Sequence, residues 1–159
     1  MFLYLGGEAP LYGPPAGFVE ELAREHGAVV LALEHRFYGK SQPFDALTTE
    51  NLRYLSTTQA LLDAVAFQRY YREQLRAHGG SGSGPWVAFG GSYAGALSAW
   101  LRAFFSAQFS GAVASSGVVQ LELDFSGFDE EVASACGDGC AELLSRTYAA
   151  IDALLAEPT

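Results

Sequence analysis

Positive charge is scarce in this chain, and so are long hydrophobic runs. Its 159 residues contain 9 lysines and arginines against 18 aspartates and glutamates, which gives a formal net charge of −9 at pH 7. Nucleic acids and anionic membrane surfaces favour basic proteins, so this balance argues against both as partners. No apolar run approaches the roughly 20 residues needed to span a bilayer, and we expect no membrane association.

Cysteine and histidine are also rare, with two and three residues respectively. Cys136 and Cys140 lie in the sequence Cys-Gly-Asp-Gly-Cys, and no histidine is close to them in sequence. Zinc requires more ligands than this pair supplies, so we expect no metal and no cofactor. The cysteine spacing leaves open two free thiols, a disulfide across the short loop, or a disulfide to a partner outside the chain.

The amino terminus has no basic segment before its first apolar residues, so no signal peptide is expected in this chain. Residues 2–5 have instead the composition of a buried strand. With 50% hydrophobic and 13% aromatic residues, the chain has the composition of a globular domain. Natural domains rarely begin inside a core strand, and we therefore expect the chain to be part of a longer protein.

The most informative stretch surrounds Ser92. An apolar run ending at Phe89 predicts a buried strand, residues 96–105 predict a helix, and between them lies Gly90-Gly91-Ser92-Tyr93-Ala94-Gly95. A strand, a tight turn with a central serine and a helix are the layout of a nucleophile elbow, which needs small residues on both sides of the serine. Ala94 departs from the consensus G-x-S-x-G by one methyl group. From the elbow alone, a catalytic Ser92 and an ordinary serine in a glycine-rich turn are equally open.

Two backbone segments are candidates for binding negative charge beside this serine. A helix that starts just after Ser92 would present free N–H groups and the positive end of its dipole. The loop Gly6-Gly7-Glu8 follows the first predicted strand, where α/β-hydrolases place a second oxyanion donor. A plain turn is the alternative for this loop.

Predicted strands and helices alternate along the chain. Strands are expected at residues 2–5, 28–33, 86–89 and 111–115, and helices at 18–26, from a cap at Thr57 or Thr58 to 77, and at 96–105. This order predicts an α/β fold, a mostly parallel sheet with helices on both faces. In the first helix, Phe18, Leu22 and Ala23 are assigned to the inner face.

The last forty residues differ from the rest. Residues 124–138 are acidic and lack a strand pattern, whereas residues 141–156 have a helical pattern with apolar residues on one face. We therefore expect residues 1–122 to form a partial α/β core and residues 123–159 to begin an inserted helical cap.

A charged and aromatic cluster follows the second predicted strand, with the sequence Glu34-His35-Arg36-Phe37-Tyr38-Gly39-Lys40-Ser41. The ends of parallel strands are where α/β proteins bind ligands. We nevertheless interpret Glu34 and Arg36 as a structural ion-pair lattice. His35 is interpreted as a hydrogen-bonded scaffold group, because the catalytic histidine follows the serine in hydrolases of this type. His26 and His78 are expected at helix ends, where a cation suits the dipole.

Several of these segments together resemble the S28 family of serine peptidases. The resemblance covers most of residues 2–119 in the same order, and its specific part is the Glu34–Ser41 cluster, which generic esterases and lipases lack. The matching segments are Tyr4–Glu8, Glu34–Phe44, Leu52–Ser56, Gln59–Leu61 and Gly90–Gly95.

The resemblance implies an α/β-hydrolase fold with a Ser-Asp-His triad, a helical cap, and exopeptidase action on peptide bonds after proline or similar small residues. Ser92 matches the nucleophile, which would form an acyl-enzyme, and the Tyr93 backbone N–H matches an oxyanion donor. Gly6, Gly7 and Glu8 would supply a second donor or contact the substrate.

The family's catalytic Asp and His would lie beyond Thr159. The resemblance further implies a lysosomal, vesicular or secreted parent and is compatible with a homodimer. It leaves open whether the parent is a carboxypeptidase or a dipeptidyl peptidase. The alternative is a catalytically inactive remnant with a binding role at most.

Overall fold

Four short parallel strands form one sheet in the order β2-β1-β3-β4. The computed structural model describes residues 1–13 and 15–156, and its strands are β1 Phe2–Leu5, β2 Val30–Leu33, β3 Val87–Gly91 and β4 Gly111–Ser115. The register pairs Leu3 with Leu31 on one side and with Ala88 on the other. These strands are built almost wholly of apolar and small residues, as parallel sheets covered by helices are.

The connections between the strands are helical. The helices are α1 Phe18–Glu25 between β1 and β2, α2 Thr49–Leu52 and α3 Thr57–Ala77 between β2 and β3, and α4 Tyr93–Phe104 between β3 and β4. The chain moves outward from β1 to β2 and then returns past β1 to β3. Right-handed crossovers therefore place α1 on one face of the sheet and α3 and α4 on the other. The predicted partial α/β-hydrolase fold is confirmed.

The hydrophobic core lies between the sheet and the helices α3 and α4. Trp86 and Phe109 are the largest fully buried side chains, and their rings meet edge to face with centroids 6.5 Å apart. Leu3 from β1 and Leu101 from α4 are fully buried in the same cluster. This packing anchors the amino-terminal half of β3, and with it the turn that follows the strand.

Two details of the helices differ from expectation. Phe18, assigned to the inner face of α1, is 69% exposed, whereas Ala23 is buried, because the helix begins at Phe18 and only its later residues reach the sheet. The cap of α3 is Ser56 rather than Thr57 or Thr58: its hydroxyl accepts a hydrogen bond from Gln59 N at 3.3 Å. Ser56 has the extended backbone of an N-cap, while both threonines are already helical.

Replacing this cap should weaken the protein measurably. We expect Ser56→Ala to lower the free energy of unfolding by about 1 kcal/mol, because one amide of the first turn loses its acceptor. Thr58→Ala, in the exposed first turn of α3, is the matched control and should change stability little. Chemical denaturation of both variants measures the difference in stability, and equal losses would mean that Ser56 is not the cap.

Residues from Gln120 onward form a second compact unit. It contains α5 Ser126–Cys136 and α6 Asp138–Leu155, joined at Gly137, whose φ of +80° suits glycine. Cys136 and Cys140 are exposed free thiols, and a hydrogen bond with the Cys140 thiol raises the pKa of Cys136.

Neither a metal cluster nor a membrane helix is found in the part of the chain that the structure describes. Residues 1–13 and 15–156 contain no group of three or more His, Cys, Asp or Glu side chains placed to hold a metal ion. Over the same residues, no helix combines the length and apolar character that crossing a bilayer requires.

Candidate active site

Ser92 lies at the turn between β3 and α4, as the sequence pattern predicts. β3 ends at Gly91, α4 begins at Tyr93, and Ser92 has φ 56° and ψ −126°. Positive φ is uncommon for a residue with a side chain and persists only where the surroundings impose it. The Ser92 side chain is exposed and makes no capping hydrogen bond to the helix. Its hydroxyl is therefore presented to solvent from a strained turn.

Two glycines make this turn sterically possible. A Cβ on Gly90 would lie 2.1 Å from the Ala94 carbonyl oxygen, and one on Gly95 would lie 2.7 Å from the Ser115 oxygen. At Gly91 the nearest atom would be 4.0 Å away, so this glycine is not required for clearance among the described residues. Ala94 is 3% exposed and fits without conflict, which explains how the turn accepts alanine in place of the consensus glycine.

The backbone around Ser92 leaves donors at the start of the helix. The Ser92 amide is already used, since it donates to the Ser115 oxygen at 2.9 Å, and the Ser92 oxygen accepts from Ala96 N at 3.1 Å. The first amides of a helix have no acceptor within it, and Tyr93 is the first helical residue. The Tyr93 N–H is thus a donor beside the serine, reinforced by the helix dipole.

The loop Gly6-Gly7-Glu8 lies beside this turn. It follows β1, the strand at which the sheet order reverses, and such switch points form the ligand crevice of α/β sheets. Gly6 N donates to the Leu33 oxygen at 2.8 Å, and a Cβ on Gly7 would lie 3.8 Å from the Ala94 Cβ. Glu8 is exposed. The structure therefore brings this loop and the Ser92 turn to one edge of the sheet.

Arg36 is bound by side chains and backbone of the α2–α3 region. Its Nε and Nη2 each donate to Asp63 at 2.6 Å, and its Nη1 donates to the Tyr54 oxygen at 3.0 Å and to Gln59 Oε1. Arg36 thus pairs with Asp63 and not with Glu34, so the expected ion pair between Glu34 and Arg36 is wrong. Its structural interpretation stands, because every polar contact recorded for Arg36 is to the scaffold.

Glu34 joins two loops instead of pairing with Arg36. Its carboxylate accepts from Leu11 N at 3.0 Å, Lys40 N at 2.9 Å and Ser41 N at 2.7 Å. Hydrogen bonds from the Leu11 amide and then from Ser41 and Lys40 lower the pKa of Glu34 below its usual range. Leu11 belongs to the loop that begins at Gly6, so Glu34 connects that loop to the one following β2.

The lowered pKa of Glu34 predicts a pH-dependent contribution to stability. A carboxyl whose pKa is lower in the folded state stabilises the fold above its unfolded pKa of about 4.3 and loses this effect as pH falls through the folded value. We expect Glu34→Gln to lower the denaturation midpoint at pH 7, with a smaller difference from wild type in strong acid. Glu73→Gln, at an exposed position of α3, is the control. A loss that does not depend on pH would contradict this assignment.

His35 is buried, with 6% of its surface exposed, and both ring nitrogens are engaged. Nδ1 lies 2.7 Å from the Arg36 carbonyl oxygen, and Nε2 lies 3.1 Å from the Tyr93 hydroxyl. The His35 and Tyr93 rings are 5.5 Å apart between centroids. Burial raises the pKa of the Tyr93 phenol, Tyr38 and Glu8 add to this, and a hydrogen bond from Thr57 opposes it. His35 is a scaffold group, as expected.

The other two histidines lie at helix ends, also as expected. His26 follows the last residue of α1, and His78 follows the last residue of α3, where its Nδ1 lies 2.8 Å from the Gln74 carbonyl oxygen. Neither histidine had been expected near Ser92.

Two contributors to this region were not singled out by the sequence. Asp63 lies on α3, and Leu11 contributes only its amide. Gln59 and Asp63 are four residues apart on a helix and so share a face, which is the one signal that indicates a common partner. Nothing in the sequence identifies the Leu11 amide.

Comparison with known proteins agrees with this geometry. The family model described as "Serine carboxypeptidase S28" matches residues 1–159, the whole chain. The chain belongs to the S28 family of serine peptidases. The resemblance found in the sequence is thereby confirmed, and the family accounts for a serine on a strand-to-helix turn at the carboxyl edge of a parallel sheet.

Individual S28 relatives from plants and animals are similar to this chain. "Probable serine protease EDA2" of Arabidopsis thaliana is 44% identical over 151 residues, covering 92% of this chain and 31% of the relative. The thymus-specific serine protease of Mus musculus is 43% identical over 136 residues, covering 84% and 26%. The lysosomal Pro-X carboxypeptidase of Bos taurus is 32% identical over 170 residues, covering 100% and 34%. The chain thus spans about a quarter to a third of the length of these relatives.

Proposed function

We propose that this chain is the nucleophile-bearing part of a serine exopeptidase in which Ser92 attacks the peptide carbonyl. The observation that carries the proposal is the backbone of Ser92, with φ 56° between β3 and α4 and an exposed, uncapped side chain. Membership of a family of serine peptidases supplies the reaction class. The chemistry is acyl transfer from a peptide to water.

The reaction would proceed in two stages. Ser92 Oγ adds to the carbonyl carbon while a general base takes its proton, and the resulting oxyanion accepts hydrogen bonds from Tyr93 N–H and from the Gly6-Gly7-Glu8 loop. The bond to the leaving group then breaks as the base returns the proton to the departing amine. In the second stage water attacks the acyl-enzyme while the base takes its proton, and the base then returns a proton to Ser92 Oγ as the acid product leaves. We assign the base and its orienting carboxylate to a segment beyond residue 159.

The second unit contains the helices α5 and α6, which follow the last strand, and no further strand occurs among its described residues up to 156. We propose that residues 123–159 begin a helical cap whose remainder lies further along the parent protein. Cap residues would select the substrate, for which we propose peptides with proline near the cleaved bond, as the name of the bovine relative indicates for that enzyme. The name of the same relative favours a lysosomal parent, and the sequence resemblance also allows a vesicular or secreted one.

The test is a serine substitution in the proposed full-length parent protein. Ser92→Ala should reduce turnover of proline-containing peptides by on the order of 10⁶, because removing the nucleophile removes the covalent route. The control is Ser106→Ala, at an exposed position after α4, which should retain wild-type turnover. Turnover that survives Ser92→Ala would overturn the proposal, as would a parent gene with stop codons where the Asp and His are expected.

A further inference from the structure

His35 is a buried titratable group for which the proposed reaction has no use. It is the second residue after β2, next to the crevice edge, and only 6% of its surface is exposed. A buried imidazole without a partner would be costly, yet both of its nitrogens have one. The second partner is Tyr93, the residue immediately after Ser92, so the histidine contacts the site through it.

The direction of these hydrogen bonds follows from the partners. A carbonyl oxygen only accepts, so Nδ1 of His35 carries the proton that it donates to the Arg36 oxygen. In the neutral ring, Nε2 is then an acceptor, and the Tyr93 hydroxyl donates to it over 3.1 Å. The phenol is therefore attached to the loop after β2.

We propose that His35 is a positioning residue, which acts through the Tyr93 side chain to orient the Tyr93 backbone N–H as an oxyanion donor. This inference rests on the proposed function of Ser92. Tyr93 has its side chain tied to the scaffold and its amide in the strained turn, so a rotation of the ring would turn the first residue of α4. Positive φ at Ser92 requires surroundings that restrain it, and this contact restrains the adjacent residue.

The experiment is a double-mutant cycle in the full-length parent. Tyr93→Phe keeps the ring but removes the hydroxyl, and His35→Leu removes the acceptor. Each should lower kcat about tenfold with KM changed less than twofold, since a hydrogen bond of about 1.4 kcal/mol is lost only from transition-state orientation. If His35 acts through the hydroxyl, the double variant should be no slower than either single variant. His35→Gln, which returns an acceptor, should recover part of kcat.

Additive losses in the cycle, or unchanged kcat in both single variants, would overturn the positioning role while leaving Ser92 as nucleophile. A second readout does not depend on turnover. In protein labelled with ¹⁵N-tyrosine, His35→Leu should shift the amide resonance of Tyr93, and an unshifted resonance would also overturn the inference. If turnover by the parent does not depend on Ser92 while His35→Leu still shifts the Tyr93 resonance, the proposed function alone is contradicted.

Discussion

Residues 1–159 expressed alone should not hydrolyse peptides or react with a fluorophosphonate at Ser92. A serine hydroxyl is a weak nucleophile near neutral pH and depends on an adjacent base. His35 cannot serve, because its Nδ1 donates to the Arg36 oxygen and its Nε2 accepts from Tyr93. His26 and His78 lie at the ends of α1 and α3. Loss of the base alone costs on the order of 10⁶ in turnover.

The measurement compares the 159-residue chain with the longer parent under identical labelling conditions. We expect Ser92-dependent labelling and cleavage of proline-containing peptides only in the parent. Denatured chain is the control for nonspecific reaction, and a circular dichroism spectrum of the short chain establishes whether it is folded. Labelling of the folded short chain that His35→Ala abolishes would show that His35 is a base and would contradict the tautomer derived from its contacts.

The parts of this site that the sequence predicted are local ones. Small residues around Ser92, a buried strand before it and a helix after it determine the turn within a dozen residues, and the structure has that turn. The parallel sheet with helices on both faces followed from the alternation of strands and helices, whereas the strand order β2-β1-β3-β4 was not predicted. The elbow pattern calls for small residues on both sides of Ser92, but a Cβ at Gly91 would meet no atom closer than 4.0 Å, and residue type alone does not show which Cβ would meet backbone.

Contacts between distant residues were the part that could not be predicted. Arg36 and Asp63 are 27 residues apart, and Glu34 reaches the Leu11 amide 23 residues away. Which charge pairs with which depends on the angle at which α3 crosses the sheet edge, and the sequence pattern carries no such angle. Glu34 beside Arg36 in sequence favoured an ion pair between them. In the loop after β2, their side chains instead contact different partners.

Gly90→Ala should be among the most destabilising single substitutions in the first unit. The added Cβ would lie 2.1 Å from the Ala94 oxygen and 2.8 Å from Ser98 Oγ, where neither backbone nor buried hydroxyl can move without displacing α4. Overpacking of this kind costs about 3 kcal/mol, at the upper end for an added methyl group, because the helix is packed against β3 and β4. Chemical denaturation of the parent measures the loss in unfolding free energy.

Gly91→Ala is the matched control, one residue further along the same strand. Its Cβ would lie 4.0 Å from the Ser115 oxygen, at ordinary contact distance, so its stability should stay within about 0.5 kcal/mol of wild type. The two variants make the same chemical change on either side of a single peptide bond, and they differ only in what the new methyl group meets. Similar losses in both would mean that glycine is needed there for backbone freedom, and that the close approach of β3 to α4 does not decide the turn.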